Sequence, residues 1–249
     1  MTLGARAYFT PALPNHSITG SAAQVMMAEI MIDHGHKHGF TQLQHSSIAE
    51  FLTDGHAIAQ FAQAVMNKYG SNRDLNIVIL PVIHDASMAE YDGVHATQRE
   101  QWEEQFVTFE WSTTNLMRAR ATIAHEVAHH LRRPNDPANQ TELKLTKYLL
   151  HEGIAECMVE CEVGHAYVQF DKTTDPQVRA KISRLIEAEQ RGTLTSTEES
   201  EREELLDTRD YYPAAYAVAK QSALSVQDLI SMDLQKYAAI ILEQLPHIP

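Results

Sequence analysis

His125-Glu126-Val127-Ala128-His129 gathers two imidazoles and a carboxylate into an HExxH arrangement. On a helix, positions four apart share a face. His125 and His129 can therefore turn ring nitrogens toward one metal ion while Glu126 projects beside them toward a water molecule. The chemistry on offer is zinc-assisted hydrolysis, in which the ion makes water acidic and the carboxylate takes its proton. That reading needs a helix. Leu116, Ala119, Ile123, Val127 and Leu131 recur at intervals of three and four, the period of a helix with one buried stripe. Thr113 or Thr114 is placed to cap its start, and Pro134 bars its continuation.

Two histidines leave a tetrahedral zinc short of a protein ligand, because a catalytic site usually has three and leaves the fourth position to water. A metzincin-type site would put glycine and histidine where Arg132 and Asn135 stand, so that class is removed. Downstream, the strongly helical stretch from Tyr148 offers Glu152, 23 positions after His129, as the third ligand. Glu156 follows one turn later, placed to accept a hydrogen bond from the free ring N–H of a ligating histidine and fix its tautomer. It is also the substitute ligand if Glu152 is only a surface carboxylate. His130 and His151 adjoin these positions, and the sequence does not decide between a supporting role and exposure to solvent.

HExxH followed by an EGxAE helix, here Glu152-Gly153-Ile154-Ala155-Glu156, resembles the gluzincin group of zinc peptidases. Within that group the chain is most similar to a family of predicted zinc-dependent proteases whose members read HEYHH and then EGLAEHF. The similarity runs from the strand near Ile77 to about Lys220. Val127 and Ala128 replace the Tyr-His pair between the ligands, and Cys157-Met158 stand where His-Phe is common; none of these is a ligand position. The resemblance implies zinc as cofactor on His125, His129 and Glu152, with Glu126 as general base, and a peptide or protein substrate; with no signature for an amino-terminal anchor in the residues, endopeptidase is the default. Gluzincins stabilise the oxyanion with a Tyr or His well beyond the third ligand. In the matching stretch from Asp210 to Lys220, Tyr216 is the first choice and Tyr212 the second. Two other functions fit the same residues: a zinc hydrolase acting on a non-peptide amide or ester, and a non-catalytic zincin-like scaffold that binds a protein partner.

The elements that must position these groups follow from pattern. Leu75 to Ile83 and Phe106 to Trp111 are short β-branched or aromatic runs that read as strands. One of them, with the loop from Tyr91 to Thr97, is expected to offer an edge for an extended peptide. Helices are expected over Ala22 to Ile32 and Ala49 to Tyr69, the second opened by Ser46 or Ser47 with Asp54-Gly55 as a candidate break. Further helices run from Asp175-Pro176 to about Gln190, through the acidic stretch Glu198 to Asp207, and from the Ser225 cap to Leu242. The expected fold class is α+β, zincin-like and helix-dominated, with a small mixed sheet packed over the HExxH helix. A single domain over residues 1–249 is expected, with an N-terminal helical part (1–70), sheet and metal helices (71–165) and a C-terminal helical part (166–249).

A formal charge of −13 argues against nucleic acid and anionic membrane as partners, since binding phosphate needs Lys and Arg. The N-terminus lacks a basic region followed by an apolar run, and no stretch approaches bilayer length, so a cytoplasmic location is expected. Cys157 and Cys161 lie one helical turn apart, where a disulfide would be strained; with His165 they form a weaker alternative metal group. The alternating imidazoles of His34, His36 and His38 read as a polar linker before they read as a metal site. Nothing in the residues specifies an oligomeric state.

Overall fold

The computed structural model describes residues 5–9, 45–71, 75–81, 94–101, 104–111, 116–136 and 142–248. The helix expected over Ala22 to Ile32, the His34 to His38 cluster and the cap at Thr113 or Thr114 lie outside the described residues. The chain divides into two compact units, Met1–Val127 and Ala128–Pro249.

In the first unit, helix α1 (His45–Lys68) runs through Asp54-Gly55 without a break. Ile58, Ala62, Val65 and Met66 are buried along one stripe, which is what their helical spacing requires. The helix stops where Gly70 takes φ +73° and the Ser71 N–H turns back to the Met66 carbonyl at 3.0 Å. A side chain at that left-handed position would be strained, so glycine sets the end. Strands β1 (Ala5–Phe9), β2 (Leu75–Pro81), β3 (Val94–Gln101) and β4 (Glu104–Trp111) are traced along the backbone. They pair in the order β1-β2-β4-β3, with β2 parallel to β1 and β4, and β3 antiparallel to β4. Both runs singled out in the sequence, β2 and β4, are thus flanked on each side. Neither presents the free edge expected for a peptide.

Helix α2 (Leu116–Arg132) carries HExxH and ends in a 3-10 turn over Arg133–Asn135, where Pro134 stops the helical ladder. Then come α3 (Lys144–Glu162), α4 (Pro176–Arg191), α5 (Ser196–Thr208), α6 (Tyr212–Gln221), α7 (Val226–Ile230) and α8 (Leu234–Gln244). The expected α+β, zincin-like arrangement, with its small mixed sheet packed over the HExxH helix, is corrected here: among the residues whose side chains are described 77% are helical, and no sheet is seen over that helix. The cause is local. From Leu116 onward the apolar residues keep a helical period and good helix formers fill the gaps, with no alternating β-branched run to make a strand.

Caps fix most of the boundaries. The Asp175 side chain accepts from the Gln177 N–H to start α4, and Gly192 at φ 62° ends it. Thr195 with Glu198 and Ser225 with Asp228 form capping boxes for α5 and α7. The single run expected from Ser225 to Leu242 is two helices, because Asp233 accepts the Lys236 N–H and starts α8 afresh. The acidic face of α5 pairs with α4 through Lys181–Glu204 at 2.9 Å and Arg184–Glu201. Exposed pairs of this kind add little stability.

Helix α3 is the centre of the second unit, with α4, α6, α7 and α8 packed around it. Residues from Leu145 to Val159 are accordingly buried on almost every side. Its closest neighbour is α6, and Gly153 sets the approach: a Cβ there would sit 2.6 Å from the Ala215 carbonyl oxygen and 2.9 Å from the Ala219 Cβ. Gly153→Ala is therefore expected to destabilise the protein by about 1–3 kcal/mol through overpacking, against roughly 1 kcal/mol regained in helix propensity. Thermal unfolding reads the balance, and a variant as stable as wild type would show that α6 gives way without cost.

Candidate metal centre

The motif helix buries Ala119, Ile123, Ala124, Val127, Ala128 and Leu131, which leaves His125 and His129 together on its less buried side. One helical turn separates the two imidazoles, so their spacing is set by α2 alone. Ligand atoms of His125, His129 and Glu152 all lie within 4.8 Å of one another, and among the described residues this is the group that could hold a metal ion. His129 Nε2 and Glu152 Oε1 are 3.7 Å apart. Two donors each about 2.1 Å from one tetrahedral ion stand roughly 3.4 Å apart, so the pair needs only a small closure. Two imidazole nitrogens and a carboxylate oxygen suit zinc. The residues fit the ion that HExxH implies. Glu126, between the two histidines in sequence, is 8% exposed.

Glu152 is held by the way α3 begins. Leu143 offers no capping side chain, and the work is done from α4. Glu189 Oε1 accepts the Leu145 N–H at 2.8 Å, and Oε2 accepts the Thr146 N–H at 3.2 Å and its hydroxyl at 3.1 Å. Burial pushes the Glu189 carboxyl up, and these hydrogen bonds oppose it. A buried acceptor for otherwise orphaned helix N–H groups locks the start of α3 two turns before the ligand.

His151, which the sequence left open, stacks on the His129 ring with centroids 5.6 Å apart and planes 21° from parallel. Its Nε2–H donates to Asp136 Oδ2 at 2.8 Å. Asp136 also pairs with Lys147 Nζ at 3.0 Å and with Arg132 Nε at 3.3 Å. Burial alone would raise its carboxyl, but the hydrogen bonds and charges of His151 and Lys147 hold it below the usual carboxylate range. Asp136 had no signal in the sequence, since its bond to His151 spans fifteen residues and no periodicity relates them. Glu156, 1% exposed, accepts the Gln169 backbone N–H at 2.7 Å.

The tyrosines divide. Tyr216 donates its hydroxyl to Glu160 Oε2 at 2.9 Å and accepts from Lys220 Nζ at 3.0 Å, with His165 Nδ1 at 3.4 Å. Glu160 lies two turns beyond Glu152, roughly 12 Å along α3, so this hydroxyl is committed away from the third ligand. Burial first, then the carboxylate of Glu160, pushes its phenol up to about 12 despite the lysine. His165 also pairs with Asp171 at 2.9 Å. Tyr212 packs edge-on against Phe170 and Tyr211, with centroids at 4.4 and 4.7 Å. Tyr211 was passed over in the sequence. It is 1% exposed, and its phenol is raised by burial, then by the charge of Glu152 and by a hydrogen bond with Tyr212.

The alternative group of Cys157, Cys161 and His165 is not among the metal-competent clusters of the described residues. Cys157 is buried and Cys161 exposed. Burial, then the neighbouring Glu160, pushes the Cys157 thiol up to about 12, which makes it inert. No helix among the described residues is long and apolar enough to cross a membrane.

A family model described as predicted Zn-dependent protease (DUF2268) matches residues 55–203, more than half of the chain, and the span includes HExxH, Glu152 and Glu189. No curated protein and no solved structure matches the chain.

Proposed function

This chain belongs to the family of predicted Zn-dependent proteases, and from that premise we propose that it hydrolyses peptide bonds with a gluzincin-type centre. His125, His129 and Glu152 hold the zinc, and the convergence of their ligand atoms within 4.8 Å is the observation that carries the reading. Zinc bound there supplies Lewis acidity, lowering the pKa of water toward neutrality and polarising the scissile carbonyl. Glu126 accepts the proton of the attacking water and returns it to the leaving amine. Its low exposure favours this, since a desolvated carboxylate is a stronger base toward a nearby proton than a hydrated one. For the oxyanion we retain Tyr212 ahead of Tyr216, because the Tyr216 hydroxyl is tied to Glu160, two turns beyond Glu152. A developing negative charge gains most from a donor held in place beforehand, and the edge-on packing of Tyr212 provides such rigidity.

The substrate class in this reading is peptide or protein, cut internally, and the compartment is the cytoplasm. The test is metal analysis beside a peptide-library digest. The protein is expected to hold about one zinc per chain and to cleave peptides in a manner abolished by chelation and restored by zinc. Zinc uptake with turnover of small esters or amides but no peptide would assign the centre to other carbonyl substrates. Partner binding with no turnover under any condition would make it a scaffold.

A further inference from the structure

An imidazole binds a metal through a lone pair in the plane of its ring, so the tilt of a histidine matters as much as its position. The His129 ring is stacked against His151, with centroids 5.6 Å apart and planes 21° from parallel. A ring stacked in this way is restrained in its tilt. His151 is itself fixed by the 2.8 Å bond from its Nε2 to Asp136 Oδ2. The carboxylate of Asp136 has no room to swing, because Lys147 holds Oδ2 at 3.0 Å and Arg132 approaches Oδ1 at 3.3 Å. Arg132 is anchored in turn, with its Nη1 donating to the Ile230 carbonyl at 2.9 Å. Asp136 is 7% exposed at its side chain and His151 15%, so water competes weakly for the bond between them.

We infer that Asp136 and His151 are positioning residues for the metal centre: Asp136 fixes the plane of the His151 ring, and His151 fixes the plane of His129. The inference rests on the zinc reading above. It follows from an ordering argument, since a ligand already held at its bound tilt gives up less freedom when the ion arrives. The chain of contacts predicts that Asp136 acts only through His151.

The test is a double-mutant cycle on the full chain, with zinc affinity measured by competition against a chromophoric chelator and apoprotein unfolding followed in parallel. His151→Ala is expected to weaken zinc binding about 10–100-fold, the usual cost of a lost supporting partner. Asp136→Asn, close to isosteric, is expected to weaken it by about tenfold in the wild-type background and by nothing further in His151→Ala. His151→Phe, which restores a flat ring but no bond to Asp136, is expected to recover part of the loss. A purely structural role would not produce that pattern, because it would lower apoprotein stability in proportion to the affinity lost. Additive losses, or variants that bind zinc as tightly as wild type, would overturn the inference and leave the ligand set standing. Wild-type protein that takes up no zinc at all would overturn both.

Discussion

Glu126→Gln is expected to lower kcat on a cleavable peptide by about 10²–10⁴-fold while the zinc content stays at the wild-type level. The amide matches the carboxylate in shape and in its ability to hydrogen-bond, so the packing around a side chain only 8% exposed should survive the change. What it cannot do is accept a proton at neutral pH. Metal content should not follow, because the ligand atoms that converge belong to His125, His129 and Glu152, with Glu126 outside the set. The two readouts separate the possible roles. A fall in zinc with the fall in rate would make Glu126 a ligand, and an unchanged rate would move the base elsewhere.

The second large effect concerns the third ligand. Glu152→Ala should reduce zinc affinity by more than about 100-fold, beyond the upper end of what a supporting partner contributes. Glu156→Ala should stay within that range. The structure supplies the contrast: Glu152 Oε1 stands 3.7 Å from His129 Nε2, whereas Glu156 takes the Gln169 backbone N–H at 2.7 Å and ties the segment after α3 to the helix. Loss of Glu156 therefore leaves a part-buried N–H without this acceptor and should show mainly in stability, at roughly 1 kcal/mol. If Glu156→Ala empties the site and Glu152→Ala does not, the carboxylates have been assigned the wrong way round.

How much of this was legible beforehand depends on whether the signal was local. HExxH and its stripe could be read because a helix repeats every 3.6 residues, and α2 keeps Ala119, Ile123, Val127 and Leu131 buried as their spacing requires. The starts of α4, α5 and α7 could be read because a capping side chain sits within three residues of the N–H it satisfies. Glu152 was found from its distance along the chain and the residues around it. Long-range choices had no such mark. Nothing near Glu189 shows that it caps a helix forty-odd residues earlier, and nothing in the Asp210 to Lys220 stretch shows that the Tyr216 hydroxyl meets Glu160. A sheet over the HExxH helix follows from the resemblance alone, and no local pattern places it; nor does any local pattern announce that α3 takes its cover from α4, α6, α7 and α8.

The tight passage of α6 past Gly153 bears on how activity screens of this protein should be interpreted. A side chain at that position, next to Glu152 in the chain, would push on the Ala215 carbonyl. On the reading proposed here, such a substitution would lower turnover through folding while every reacting group was still present. A library scored on turnover alone would then count an inert hydrogen atom among the reacting groups. Scoring the same library for zinc content and folding would return that position to the architecture.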